Sequence, residues 1–264
     1  MDLCSVISQG FIPQAINLIH SYKINSYDQT VYLYYFNIEN KDLGIFEKIF
    51  PNQVVLKEVP KICPHALEPR VFFYKTYTIN DCLINNSKSM IYSDSTNCFV
   101  RPHDIETDLR DESLFMIYNH PALANKYWTT KKCFEKMGLL GSGSENIPQY
   151  WAGLQAYKRT KDNISFVEQM LNYMKDPDIA LPDTTVKDPD GPHSKCREHR
   201  QDQSVLSLLI HKHNRHQLFE IHRNDRYGDW QTTMSFNPSQ RPNFDKMVLS
   251  PRESKFGRFR FFNG

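Results

Sequence analysis

The sequence predicts an α/β chain built on a doubly wound, mostly parallel sheet flanked by helices. Three observations carry that expectation. Strand-like and helix-like segments alternate through the first half of the chain, the rhythm of a sheet wound on both faces. The strand-like segments, such as TVYLYYF at 30–36, are continuous β-branched and aromatic runs, as expected of strands covered on both sides. Apolar residues at Ile12, Ala15, Ile16, Ile19 and Tyr22 recur at helical spacing.

The elements follow in order. Residues 3–8 form a short apolar strand run that stops at Gln9-Gly10, and 12–25 is the helix just described. Residues 30–36 are a buried strand, 43–50 a short helix and 54–57 a third strand. Residues 69–86 read as one long helical stretch, leading into the strand SMIYSD at 89–94. The second half is less regular. It offers a strand at 114–118 and a helix at 129–137 capped by Thr129 or Thr130. The segment YWAGLQAY at 150–157 mixes aromatics with one glycine, and 165–174 is helical. Residues 176–198 form a long polar loop holding Pro177, Pro182, Pro189 and Pro192, and 202–213 is a helix. There are no internal repeats.

Composition narrows the function. With 264 residues, 40% hydrophobic and 23% charged, the chain is long enough for a substantial core and is neither disordered nor collagen-like. Lys plus Arg number 32 against 30 Asp plus Glu, a net charge of +2 that argues against nucleic acid as a partner. The six cysteines are scattered without a CxxC pair, the usage of free thiols in a reducing compartment. No basic-then-apolar segment opens the chain and no apolar run reaches the roughly 18 residues of a membrane span. The expected location is cytoplasmic. Aromatics reach 13% while glycines number only 10. That excess suits either ring-stacking ligands or a β-rich core. The scarcity of glycine argues against a Gly-rich phosphate loop, and neither a Rossmann nor a Walker motif follows any strand.

Ligands of such sheets bind outside the carboxyl ends of the strands. Two strand ends therefore matter: Ser8-Gln9-Gly10 and Asp94-Ser95-Thr96. Asp94 reads either as a turn-capping carboxylate or as the holder of a divalent cation that also grips a diphosphate. Arg70 and Lys75, on the helical stretch before it, either neutralise that diphosphate or lie on a solvated face. Asp202 is either the cap of its helix or, with Gln203, a pair that contacts several hydroxyls of one sugar. Six of the ten histidines lie between His193 and His222. Cys196-x-x-His199 and Cys63-Pro-His65 are weak zinc signals, and His222 is the better candidate as a further ligand to a cation on Asp94.

Taken in order, the YSDST strand end, WAGLQAYKRT and HRQDQSVLSLLIHKH resemble the GT-A-fold glycosyltransferases. The likeness is to the glycogenin and bacterial lipopolysaccharide galactosyltransferase type and its distant bacterial and viral relatives, over residues 3–228. The resemblance implies a single GT-A-like catalytic domain at 1–228, with a nucleotide-binding part at 1–100 and an acceptor part at 101–228. A basic-aromatic extension at 229–264 follows. Asp94 then matches the first Asp of a DxD motif. Thr96 stands where the second Asp usually does, and a hydroxyl is a poorer cation ligand. Mn²⁺ or Mg²⁺ would be held by Asp94, Thr96 and His222. Ser8, Gln9, Gly10, Lys75, Ala152 and Gly153 would bind the donor, Ala152-Gly153 matching the family's small-residue strand beside the donor sugar, and Asp202 and Gln203 would meet the donor sugar near the reacting carbon.

The implied activity is transfer of a sugar from a nucleotide sugar to a hydroxyl of a glycan or lipid-linked glycan, with retention. No residue is singled out as a covalent nucleophile. The rival, favoured by Thr96, is a nucleotide-sugar- or glycan-binding protein on the same fold. The tail FGRFRFF, within a stretch 241–264 of six basic and two acidic residues, reads either as a peripheral contact with anionic lipid or as a terminal strand. Tyr32, Tyr34, Tyr35 and Phe36 belong to the core of their strand, and Phe11, Tyr92, Tyr150, Trp151, Tyr227 and Trp230 are the aromatics expected near the crevice.

Overall fold

The computed structural model describes residues 1–25, 29–99, 114–118, 123–181 and 196–213. Six strands form one sheet: β1 (Asp2–Ile7), β2 (Val31–Tyr35), β3 (Val54–Glu58), β4 (Ser89–Ser93), β5 (Leu114–Tyr118) and β6 (Tyr150–Lys158). Their order is β3-β2-β1-β4-β6-β5. The first four run parallel, β6 is antiparallel to β4, and β5 is antiparallel to β6. The order reverses at β1, where the next strand switches from β2 to β4, so the crevice expected of a doubly wound sheet opens there.

Period-2 geometry splits each buried strand between two cores. Leu3 and Ile7 of β1 join Val31 and Leu33 of β2 and Ile91 of β4 on one face. That face is covered by α1 (Ile12–Asn25) and α2 (Asn40–Ile49), which contribute Ala15, Ile16, Ile19, Leu43 and Phe46. Cys4, Val6, Tyr34, Met90 and Tyr92 point to the other face. There they meet α3 (Phe73–Asp81), then α6 (Lys161–Met174) and α8 (Gln201–Lys212), through Ile79, Phe166, Met170 and Leu206. Between β5 and β6 lie two short helices, α4 (Asn125–Trp128) and α5 (Lys131–Lys136), and α7 (Pro177–Ala180) follows α6.

Several boundaries differ from the sequence reading. The stretch 69–86 is not one helix. α3 starts at Phe73, because Phe72 takes a left-handed backbone (φ 59°), and its end widens into a π turn over Cys82–Asn86. The segment 150–157, where only the resemblance implied a strand at Ala152-Gly153, lies in the nine-residue strand β6, its Gln155 satisfied by the Ala152 carbonyl (2.7 Å) and the Tyr157 hydroxyl (2.6 Å). α6 begins at Lys161 rather than 165, because Thr160 caps it by accepting from the Asn163 amide. Thr130, not Thr129, caps α5. The predicted loop 176–198 contains α7, capped by Asp176 with Pro177 in its first turn.

α3 is tied down at its far end. Asp81 accepts from Tyr34 (2.5 Å) and from Lys57 (2.8 Å), and Asn86 donates to the Asp81 carbonyl (3.0 Å). At the crevice end, the turn after β4 is fixed through one oxygen. The Asp94 amide and the Asn97 side-chain amide both donate to the Gly153 carbonyl at 2.9 Å. Asn97 also donates to Ser93 Oγ (3.1 Å). All six cysteines are free, and no helix among the described residues is long and apolar enough to cross a membrane.

Gly153 is glycine for a steric reason. A Cβ there would lie 2.6 Å from the Trp151 ring. Gly153→Ala should therefore lose about 1–3 kcal/mol through overpacking, read as a melting temperature lower by about 2–4 °C per kcal/mol. Displacement of the indole should also change tryptophan emission. A melt and spectrum equal to wild type would contradict the packing described.

Candidate active site

A cleft of about 270 Å³ opens at the carboxyl ends of β1 and β4. Ser8 and Phe11 line it from the end of β1, Tyr92, Asp94 and Thr96 from β4, and Phe72, Tyr74 and Lys75 from the start of α3. Phe36, placed in the core by the sequence reading because it ends a strand-like run, also lines the cleft, although it is only 2% exposed.

At the inner end of the cleft is a buried ion cluster. Lys75 Nζ lies 3.0 Å from Asp94 Oδ1 and 3.0 Å from Asp202 Oδ2. The side chains of Lys75 and Asp202 are 7% and 6% exposed, that of Asp94 32%. Burial disfavours the Lys75 ammonium, but Asp202 and Asp94 outweigh it and hold its pKa above the ordinary lysine value. Burial pushes the Asp202 carboxyl up; Lys75 draws it back and the charge of Asp94 adds to the rise. Tyr92 donates to Asp94 Oδ1 (3.0 Å), and burial raises its phenol well above the usual range. The ammonium also stands 5.4 Å from the Phe72 ring centroid and 5.7 Å from that of Tyr92.

Asp202 is not a helix cap. Arg200 occupies the cap position, makes no side-chain capping bond, and stacks its guanidinium 4.0 Å over the Trp128 ring. Asp202 sits inside the first turn of α8 and spends its carboxylate on Lys75. Gln203 faces β6: its Oε1 accepts from the Ala152 amide (3.5 Å) and its Nε2 donates to Gln149 Oε1 (2.7 Å). Gln149 in turn donates to Ser204 Oγ and Thr129 Oγ1, both at 3.2 Å. Gly153 meets the cleft region through its carbonyl, which holds the Asp94 turn, and Ala152 is buried beside it.

The other expected residues divide plainly. Ser8 lines the cleft, whereas Gln9 is exposed and bonded to Asp42 of α2 (2.7 Å), next to Gly10 in a 3₁₀ turn. Arg70 is exposed, so the solvated-face reading holds for it and fails for buried Lys75. Tyr150 is a core residue and Trp151 packs over Gly153. His199 is buried, with Nε2 2.7 Å from the Ile179 carbonyl. His222, Tyr227, Trp230, most of the loop 176–198, the 228/229 boundary and the whole extension 229–264 lie outside the described residues. The sequence reading missed Phe72 and Tyr74; only their adjacency to Lys75 in FFYK marked them.

Among the described residues no three His, Cys, Asp or Glu side chains gather as a metal cluster. Asp94 Oδ1 already accepts from Lys75 and Tyr92, which leaves Oδ2, and the neighbouring Thr96 hydroxyl, as the oxygens available to a cation. That pair suits an ion that draws most of its ligands from a bound diphosphate.

The fold is GT-A-like, a mixed, mostly parallel sheet flanked by helices with its cleft at the β1/β4 switch point. Among solved structures, the galactosyltransferase LgtC, in complex with donor and acceptor sugar analogues, aligns over 89% of this chain and 84% of its own at 12% identity, with a TM-score of 0.50. The glycosyltransferase GlyE of Streptococcus pneumoniae TIGR4 aligns over 79% and 42% at 14% identity, TM-score 0.47. Mouse xyloside xylosyltransferase 1 aligns over 81% and 83% at 10% identity, TM-score 0.45. The likeness to LgtC is one of fold. No protein-family model and no curated protein sequence matches the chain.

Removing the ammonium should expose the cluster's balance. Lys75→Met leaves Asp202 buried beside Asp94 with no counter-charge, at a loss of about 3–5 kcal/mol near neutral pH. Without Lys75 the Asp202 carboxyl climbs further, so the native state keeps a proton that the unfolded chain has released. Stability of the variant then falls as pH rises from about 4, the ordinary carboxylate value, through that raised pKa. Urea unfolding of both proteins across this range measures it, and a deficit independent of pH would refute the assignment.

Proposed function

We propose that the protein is a glycosyltransferase that moves a sugar from a nucleotide-sugar donor to an acceptor hydroxyl of a glycan or lipid-linked glycan, with retention. The observation that carries this reading is the Lys75–Asp94–Asp202 cluster at the inner end of an aromatic-lined cleft, at the switch point of the sheet. The hard step is departure of a diphosphate from an anomeric carbon that gains positive charge as the bond breaks.

In this reading the nucleotide lies along the β1 end, with Phe11 offering a ring face and Ser8 a hydroxyl. Lys75 supplies positive charge to the departing diphosphate from a buried position, where charge acts more strongly than in water. Asp202 holds Lys75 and, across it, places negative charge on the donor-sugar side. Mn²⁺ or Mg²⁺, when bound, would neutralise charge on the diphosphate; Asp94 Oδ2 and the Thr96 hydroxyl are the described groups that would hold it.

One observation favours the rival reading of a nucleotide-sugar- or glycan-binding protein. Gln203, expected against the donor sugar, has its amide bonded to Gln149 and to the β6 backbone.

Nucleotide release from a panel of nucleotide sugars, with Mn²⁺ and with chelator, separates the two. Turnover by the wild type, lowered about 10²–10³-fold in Asp94→Ala, is the expected result. Background release from every donor, alongside calorimetric binding of one of them, would replace the transferase with the binding protein. A fully active Asp94→Ala would remove Asp94 from the site.

A further inference from the structure

Three non-glycine residues among those described have a left-handed backbone: Asn37, Asn52 and Phe72. Asparagine tolerates that region through its short polar side chain, whereas a bulky aromatic does not. Phe72 is thus the outlier, at φ 59° and ψ 15°, and it sits where α3 starts. Its carbonyl accepts from the Lys75 amide (3.1 Å), which fixes Lys75 one turn on. Its ring lines the cleft, lies 6.1 Å from the Tyr74 ring, and stands over the Lys75 ammonium at 5.4 Å. Tyr92 faces the same ammonium at 5.7 Å. Lys75 is therefore held by two carboxylates and two ring faces, and Phe72 is the wall contributed by its own helix start.

Backbone strain at a cleft residue persists where the surroundings require that side chain in that place. A relaxed backbone at residue 72 would carry the ring elsewhere. We propose that Phe72 is a positioning residue for Lys75. Its left-handed backbone seats the ring against the ammonium, which keeps cleft water off the Lys75–Asp202 pair and holds the charge ready for a diphosphate. The last clause rests on the function proposed above; the positioning itself does not.

The test uses Phe72→Ala, Phe72→Gly, Phe72→Leu and Phe72→Tyr in the full chain. Acetylation of Lys75 by acetic anhydride, quantified by peptide mass spectrometry, should rise several-fold in the Ala and Gly variants and stay at the wild-type level in Tyr. Glycine accepts the left-handed backbone without strain, so Phe72→Gly should melt higher than Phe72→Ala although both lack the ring. Affinity for inorganic pyrophosphate, by calorimetry, should fall about tenfold in Ala, Gly and Leu and be retained in Tyr. Leu keeps apolar bulk without a ring face, and it carries the binding measurement if Ala or Gly fails to fold. Wild-type labelling of Lys75 in folded Phe72→Ala, or unchanged pyrophosphate affinity in Phe72→Leu, overturns the proposal. If Lys75 labelling rises as expected while the wild type binds neither pyrophosphate nor any nucleoside diphosphate, the positioning role stands and the transferase reading falls.

Discussion

The cleft depends on one buried cation between two anions. Lys75, Asp94 and Asp202 come from α3, the turn after β4 and the first turn of α8, so a single ammonium joins three elements across the second core of the sheet. Taking such charges out of water is expensive, and the arrangement survives because each carboxylate meets the ammonium at 3.0 Å. A hydrophobic trio would pack there with less desolvation. What it would lack is a fixed set of charges at the end of an aromatic cleft.

The rest of the fold fixes the three charges. α3 is anchored at its far end by Tyr34, Lys57 and Asn86 around Asp81, so its first turn has little freedom to withdraw from the cleft. α8 is buried from Gln201 to Ile210, which explains why VLSLLI shows no clear polar face. Its polar first turn is accommodated by specific partners: Lys75 for Asp202, Gln149 and the Ala152 amide for Gln203, and the Trp128 carbonyl for Ser204 (2.7 Å). Buried polar groups need such partners, and here they also set the depth of the helix.

Much of the sheet was legible because strands covered on both faces are rich in β-branched, aromatic and apolar residues without polar alternation, as in TVYLYYF. β6 was hidden from periodicity by its composition: Gly153 and Gln155 interrupt the apolar run, and the partners that justify them are seen only in space. Phe36, read as core, is core, and its edge also reaches the cleft wall, which a strand-end position does not reveal in sequence. Asp202 shows the limit most clearly. In sequence it has every mark of a helix cap; its actual partner, Lys75, is far along the chain, and no local pattern encodes that pairing. Phe72 left still less trace, since a left-handed backbone at a bulky residue contradicts its own local preference and arises only from the assembled site.

The Gly153 carbonyl, which accepts from both Asp94 and Asn97, has a consequence for how such a protein can diverge. The chain leaves the cleft at Asn97 and returns to it along β6, and that one oxygen fastens the exit to the return. A change in the chain between those two points reaches Asp94 through that joint, and it reaches Asp202 through Trp128 and Gln149, which hold the first turn of α8. The same stretch of chain thus bears on both carboxylates of the cluster, on one through a backbone oxygen and on the other through a helix end.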